Sequence, residues 1–155
     1  MTPELWNTIG SGVWETIRMT IVATIFAYIA GLPLGILLAV TAKGSFAENK
    51  IVYGILGIIV NVFRSIPFLI LLVLLIPLTR FLTGSSIGTT ATIVPLTIGA
   101  VPIVARMVEG SLQEVPSGIL EAAQAMGASP WRIILSFLLP EATPSLLLGA
   151  AINLA

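Results

Sequence analysis

Residues 19–40 read MTIVATIFAYIAGLPLGILLAV, 22 residues without a single charge. At about 1.5 Å per residue this run makes a helix of about 33 Å, enough to cross a hydrocarbon core of about 30 Å. It is too long for the apolar core of a signal peptide, and no small-x-small cleavage site follows it. It therefore reads as a retained first span. Residues 2–18 before it are more polar and carry Trp6 and Trp14, which favour a membrane–water boundary.

Composition extends the same reading to the whole chain. Of 155 residues, 57% are hydrophobic and 9% charged, and the mean hydropathy is +1.08. A soluble domain carries about 25% charged residues, so the solvent that fits this chain is a lipid bilayer. Seven basic residues balance seven acidic ones, leaving no basic field to hold nucleic acid. The chain has no cysteine and no histidine. That excludes thiolate chemistry and removes the commonest general base and metal ligand. No catalytic residue, cofactor site or metal site is assigned. The fold class expected is all-α, a polytopic membrane helical bundle forming a single domain over residues 1–155.

The second apolar stretch, 51–82, is too long for one straight crossing and is divided by Arg64. Burying Arg64 at mid-bilayer would cost about 3 kcal/mol on insertion scales. Residues 51–63 are therefore expected along the membrane surface or shallowly in it, with the crossing at 65–81 and Pro67 in its first turn. Arg64 and Arg80 can then each reach an interface. A short turn containing Gly84 follows. The third span is expected at 87–104, with Pro95 and Pro102 on nearly the same face. These prolines fit either a broken, cavity-lining helix or ordinary packing. A polar interval at 105–143 comes next. A fourth apolar run begins at Pro144, with Thr143 as its N-cap, and reaches Ala155 after 12 residues. At about 18 Å it is too short to cross, and the chain reads as cut there. Lys43, Lys50, Arg64, Arg106 and Arg132 on one side against Arg18 and Arg80 on the other place the N-terminus outside.

Two local patterns stand out. Ala23, Ala27, Gly31, Gly35 and Ala39 recur every four residues, the spacing of a small-residue seam that admits another helix closely. The alternative is the general richness of membrane helices in Gly and Ala. In the polar interval, a short helix is expected at 117–126 with Gly127 as its stop. A second follows, with Ser129 as cap and Pro130 at its first position. Trp131, Ile134, Leu135, Leu138 and Leu139 form its apolar stripe. Together they make a compact knob, or an interfacial loop of helical character. Arg106 and Glu109, three apart, are expected to pair.

Within that interval Glu121-Ala122-Ala123, Gly127 and Leu139-Pro140 resemble the coupling loop of ABC importer permeases, E-A-A-x3-G-x9-I-x-L-P. Phe137 stands where the pattern has isoleucine. Gly12-Val-Trp-Glu-Thr16, Asn61-Val-Phe-Arg-Ser-Ile-Pro-Phe68, Ile93-Val-Pro-Leu-Thr97 and Ala105-Arg-Met-Val-Glu109 are similar to the permease subunit of methionine ABC importers. The resemblance covers essentially the whole chain. It implies a five-span permease of the bacterial inner membrane that works as a homodimer and carries L- or D-methionine. Its partners would be a cytoplasmic ATP-binding subunit and a substrate-binding lipoprotein. Glu121, Ala122, Ala123, Gly127, Leu139 and Pro140 would couple the spans to the ATPase.

Glu121 has no basic residue at i+3 or i+4, where Gln124 and Ala125 stand, which favours an intermolecular partner. The chain has no G-x-x-x-x-G-K-[ST] phosphate loop, so ATP hydrolysis falls to another subunit and the chain itself is not an enzyme. Competing readings are a permease for another amino acid, an ATP-independent pore or carrier, and a non-transporting membrane scaffold. The absence of charge deep in the expected spans argues against an ion-coupled carrier.

Overall fold

The computed structural model describes residues 3–154; Thr2 and Ala155, which end two of the expected segments, lie outside the described residues. The helices are α1 (Pro3–Thr41), α2 (Lys50–Ser65), α3 (Phe68–Leu74), α4 (Ile76–Thr83), α5 (Thr89–Gln113), α6 (Ser117–Ala125), α7 (Pro130–Ile133) and α8 (Leu139–Leu154). A π-helical turn at Ile134–Leu138 joins α7 to α8, and no strand occurs among the described residues. Three stretches are long and apolar enough to cross a membrane: Leu5–Thr41, Thr89–Gln113 and Pro130–Asn153.

The bundle is organised around α1 and α5. Ala23, Ala27, Gly31, Gly35 and Ala39 are all buried. A Cβ added at Gly31 would meet Val104 at 2.7 Å, and one at Gly35 would meet the Ala105 carbonyl oxygen and Val108 Cβ at 2.6 Å. Position advances in the same direction along both helices, so α1 and α5 run parallel. Two parallel neighbours need a return path between them. The segment from α2 to α4 supplies it, with Tyr53 reaching Glu109, Gly57 reaching Arg106, and Leu71 lying near Gly99.

Several expected boundaries are corrected. The polar segment before residue 19 is not separate, because α1 runs unbroken through it and residues 5–18 are exposed. Nothing there stops a helix, and Gly10 and Gly12 stand in open space. Residues 51–63 form most of α2, which packs on two of the long helices. Val60 of α2 clusters with Leu38 of α1 and Ala105 of α5, and Gly57 is buried.

The crossing expected at 65–81 is interrupted twice. Pro67 precedes α3 instead of lying in its first turn, and it forces Ile66 into an extended conformation (φ −77°, ψ 121°). As a result α3 leaves α2 at 101°. Pro77 has no N–H for the Val73 carbonyl, and the helix pauses at Leu75 before α4.

The third helix passes through Pro95 and Pro102 without a break and extends to Gln113, taking Arg106 and Glu109 with it. The broken-helix reading of these prolines is therefore not met. Both are buried against neighbours, which hold the helix together where a hydrogen bond is missing. The fourth helix does not begin at Pro144. Thr143 lies inside α8 and donates to the Leu139 carbonyl at 2.9 Å, so it is not an N-cap. Pro144 is an internal residue of α8.

Candidate functional site

The knob is built by α6, a glycine elbow and α7. At the end of α6, Gly127 N–H donates to Gln124 O (2.9 Å) and Ala128 N–H to Ala123 O (3.0 Å). This reciprocal pair closes a helix through a left-handed residue, and Gly127 has φ 75°. Ser129 then caps α7, its Oγ accepting from Arg132 N at 3.4 Å, with Pro130 in the first turn. Gly127→Val is expected to strain the elbow by about 1–2 kcal/mol. Faster proteolytic cleavage between α6 and α7 in membrane vesicles would register that loosening, and an unchanged cleavage rate would contradict it.

The six loop residues fall into two sets. Ala123 is fully buried and Leu139 is partly buried against the main core cluster. Glu121, Ala122, Gly127 and Pro140 are exposed. Glu121 makes no hydrogen bond or ion pair among the described residues.

The expected apolar stripe is divided. Ile134 and Leu138 are buried with Ile133, while Trp131 (74% exposed) and Leu135 (62%) point outward near Met126 in sequence order, itself 72% exposed. The π-helical turn accounts for part of this, since Leu139 N–H reaches back five residues to Ile134 O and shifts the side-chain phase.

Behind the knob, two polar clusters tie the helices together. Arg106 Nη1 lies 2.6 Å from Glu109 Oε2, so the expected pair forms. Tyr53 OH donates to Glu109 Oε1 (2.9 Å), and Arg106 Nη2 donates to Asn61 Oδ1 (3.0 Å) and Gly57 O (3.3 Å). Gln113 Nε2 donates to Glu109 Oε1 at 3.4 Å. Sequence reasoning missed the α2 half of this cluster. The signal was present, since Tyr53, Gly57 and Asn61 recur every four residues on one face of a helix. In the second cluster Ser145 Oγ donates to Glu114 Oε2 (2.9 Å) and lies 3.1 Å from Ser111 Oγ. It fastens α8 to the end of α5 beside the knob.

Comparison with known proteins shows which family has this bundle of long apolar helices with its knob. The profile of the binding-protein-dependent transport system inner membrane component family matches residues 31–155. The chain belongs to this family. Among its members, the D-methionine transport system permease protein MetI of Yersinia pestis is 56% identical over 143 residues, 92% of this chain and 66% of that protein. The Escherichia coli (strain K12) protein of the same name is 52% identical over 152 residues, 98% of this chain and 70% of its own length. The chain thus spans about two thirds of the length of these curated relatives. The inward-facing MetNI methionine ABC transporter superimposes with a TM-score of 0.97 at 51% identity, covering 99% of this chain and 71% of that one. An amino acid ABC transporter crystallised with histidines shares the fold (TM-score 0.68, 21% identity, 99% of this chain and 72% of that one). The chain is therefore an all-helical, multi-pass inner-membrane component with the fold of ABC importer permeases.

Proposed function

We propose that the chain is the membrane-spanning subunit of an ATP-driven importer of methionine, L- or D-, driven through its α6–α7 knob by a separate ATP-binding subunit. The observation that carries this reading is the composition of the knob's outer face. Glu121 and Ala122 stand exposed beside a turn whose flanks present Met126, Trp131 and Leu135. A free carboxylate, a small residue permitting close approach and bulky apolar anchors make a surface suited to a protein partner. The high identity to D-methionine permeases supports the choice of cargo.

The remaining parts follow from this reading. A second permease copy completes the path, a substrate-binding lipoprotein delivers the cargo, and hydrolysis occurs on the ATP-binding subunit. The crossing segments lie within Leu5–Thr41, the α2–α4 return path, Thr89–Gln113 and Pro130–Asn153. The N-terminus is outside and the knob cytoplasmic. Supporting this, Lys43 shares a cleft wall with Ser117 and Leu120 of the knob's end, and Arg132 is in α7 itself. Arg80 lies at the opposite end, next to buried Thr79, which shares a pocket with Ala91. The basic excess therefore falls on the knob's side.

Glu121→Arg is expected to lower labelled methionine uptake about tenfold, the result of opposing like charges at a docking face. Less ATPase should co-purify, while membrane insertion stays intact. Uptake at the normal rate would remove the coupling role. Competition by unlabelled amino acids tests the cargo: if another amino acid displaces labelled methionine better than methionine itself, the chain is a permease for that amino acid.

A further inference from the structure

The break between α2 and α3 lies against the middle of α5. A pocket of about 250 Å³ there is lined by Phe63, Arg64 and Phe68 from the break and by Leu96, Gly99 and Ile103 from α5. Leu96 and Ile103 are each about 10 Å or more along the helix from the nearer end of α5. Arg64, expected from the sequence at an interface, therefore stands level with the middle of α5, with its side chain exposed on the face of the subunit. Among the described residues it has no hydrogen bond and no ion pair.

Three physical statements bear on this arrangement. A charge at membrane depth is costly, and where one is kept it faces a cavity or pathway. Non-helical backbone, here Ile66 and Pro67, is tolerated at that depth where it is buried in protein or lines a water-filled cavity. A guanidinium offers a planar fork that matches a carboxylate with two parallel N–H···O bonds. Apart from Arg64, the residues named above give the pocket an apolar wall. Gly99 lets the pocket's wall come close to α5, since a Cβ there would lie 3.3 Å from Leu71 Cδ2 and 3.5 Å from Phe68 Cδ2.

We propose that Arg64 and this pocket form a transit subsite for an apolar α-amino acid, the guanidinium holding the carboxylate and the pocket the side chain. The inference rests on the importer reading above and adds a cargo contact to it. A thioether side chain suits such a site because it is unbranched and polarisable and fills an irregular apolar space.

The test uses the complete transporter in proteoliposomes, with labelled methionine for uptake and a diazirine analogue of methionine for cross-linking. In the wild type the analogue is expected to label residues 63–71 or 96–103. Arg64→Gln is expected to abolish that labelling and lower uptake about tenfold or more, as for loss of a charge-assisted hydrogen bond. Arg64→Lys should restore part of both. Gly99→Val keeps the charge but fills the pocket, and it should also lose the labelling. It serves if Arg64→Gln does not assemble.

Wild-type uptake without labelling of either segment, or undiminished labelling in both Arg64→Gln and Gly99→Val, would overturn the subsite and leave the importer reading standing. No ATP-driven methionine uptake by the wild type would overturn both.

Discussion

Arg106→Leu is expected to destabilise the protein by about 3 kcal/mol, the low end for breaking a buried ion pair by removing one partner. Glu109 is only 4% exposed, and without Arg106 its carboxylate keeps only the Tyr53 and Gln113 bonds. Two contacts to α2, at Gly57 and Asn61, disappear with the guanidinium, so α2 should loosen from α5 as well. The midpoint of thermal unfolding in detergent measures the loss. Adding Glu109→Gln to Arg106→Leu should recover part of it, because the amide needs no counter-charge. Equal stability of wild type and Arg106→Leu would mean the cluster contributes nothing.

A second large effect is expected at the seam. Gly35→Val places a Cβ 2.6 Å from the Ala105 carbonyl oxygen, a backbone atom that no rotamer change can move. The parallel helices must separate, costing about 1–3 kcal/mol or more for overpacking. Most of the protein should fail to run as a monodisperse species after extraction. Gly12→Ala on the same helix is the comparison, since nothing lies within 4 Å of it and alanine favours a helix by about 1 kcal/mol over glycine. It should be neutral or slightly stabilising. If the two substitutions behave alike, the close approach at Gly35 is not what holds α1 to α5.

The knob shows how much of the site was legible. Gly127 ends α6, and Ser129 with Pro130 starts α7, as those residue types dictate; the second helix, expected to end near Pro140, instead runs on through the π-helical turn into α8. The spacing from Trp131 to Leu139 makes one apolar face, yet Trp131 and Leu135 are exposed while Ile134 and Leu138 are buried. Apolar periodicity says which residues share a helix face. It does not say where a boundary between core and docking surface cuts that face. The prolines give the converse case. Pro95 and Pro102 fit a broken helix by sequence, but the break comes at Pro67, where Ile66 before it is extended, while the buried prolines of α5 stay helical.

Length, hydropathy, caps and glycine positions are local quantities, and from them the sequence alone determined a helical membrane protein, the cores of α1 and α5, the two-helix knob and the Arg106–Glu109 pair. Tertiary structure decided which faces meet. It set α2 into the α1–α5 groove, brought Tyr53 and Asn61 to the ion pair and placed Arg64 beside mid-helix α5. The reason is the solvent. In water an apolar stripe points to the core, but in lipid the outer face is as apolar as the inner. The pattern of side chains then no longer marks the neighbour, and only close approach of small residues and buried polar contacts can choose it.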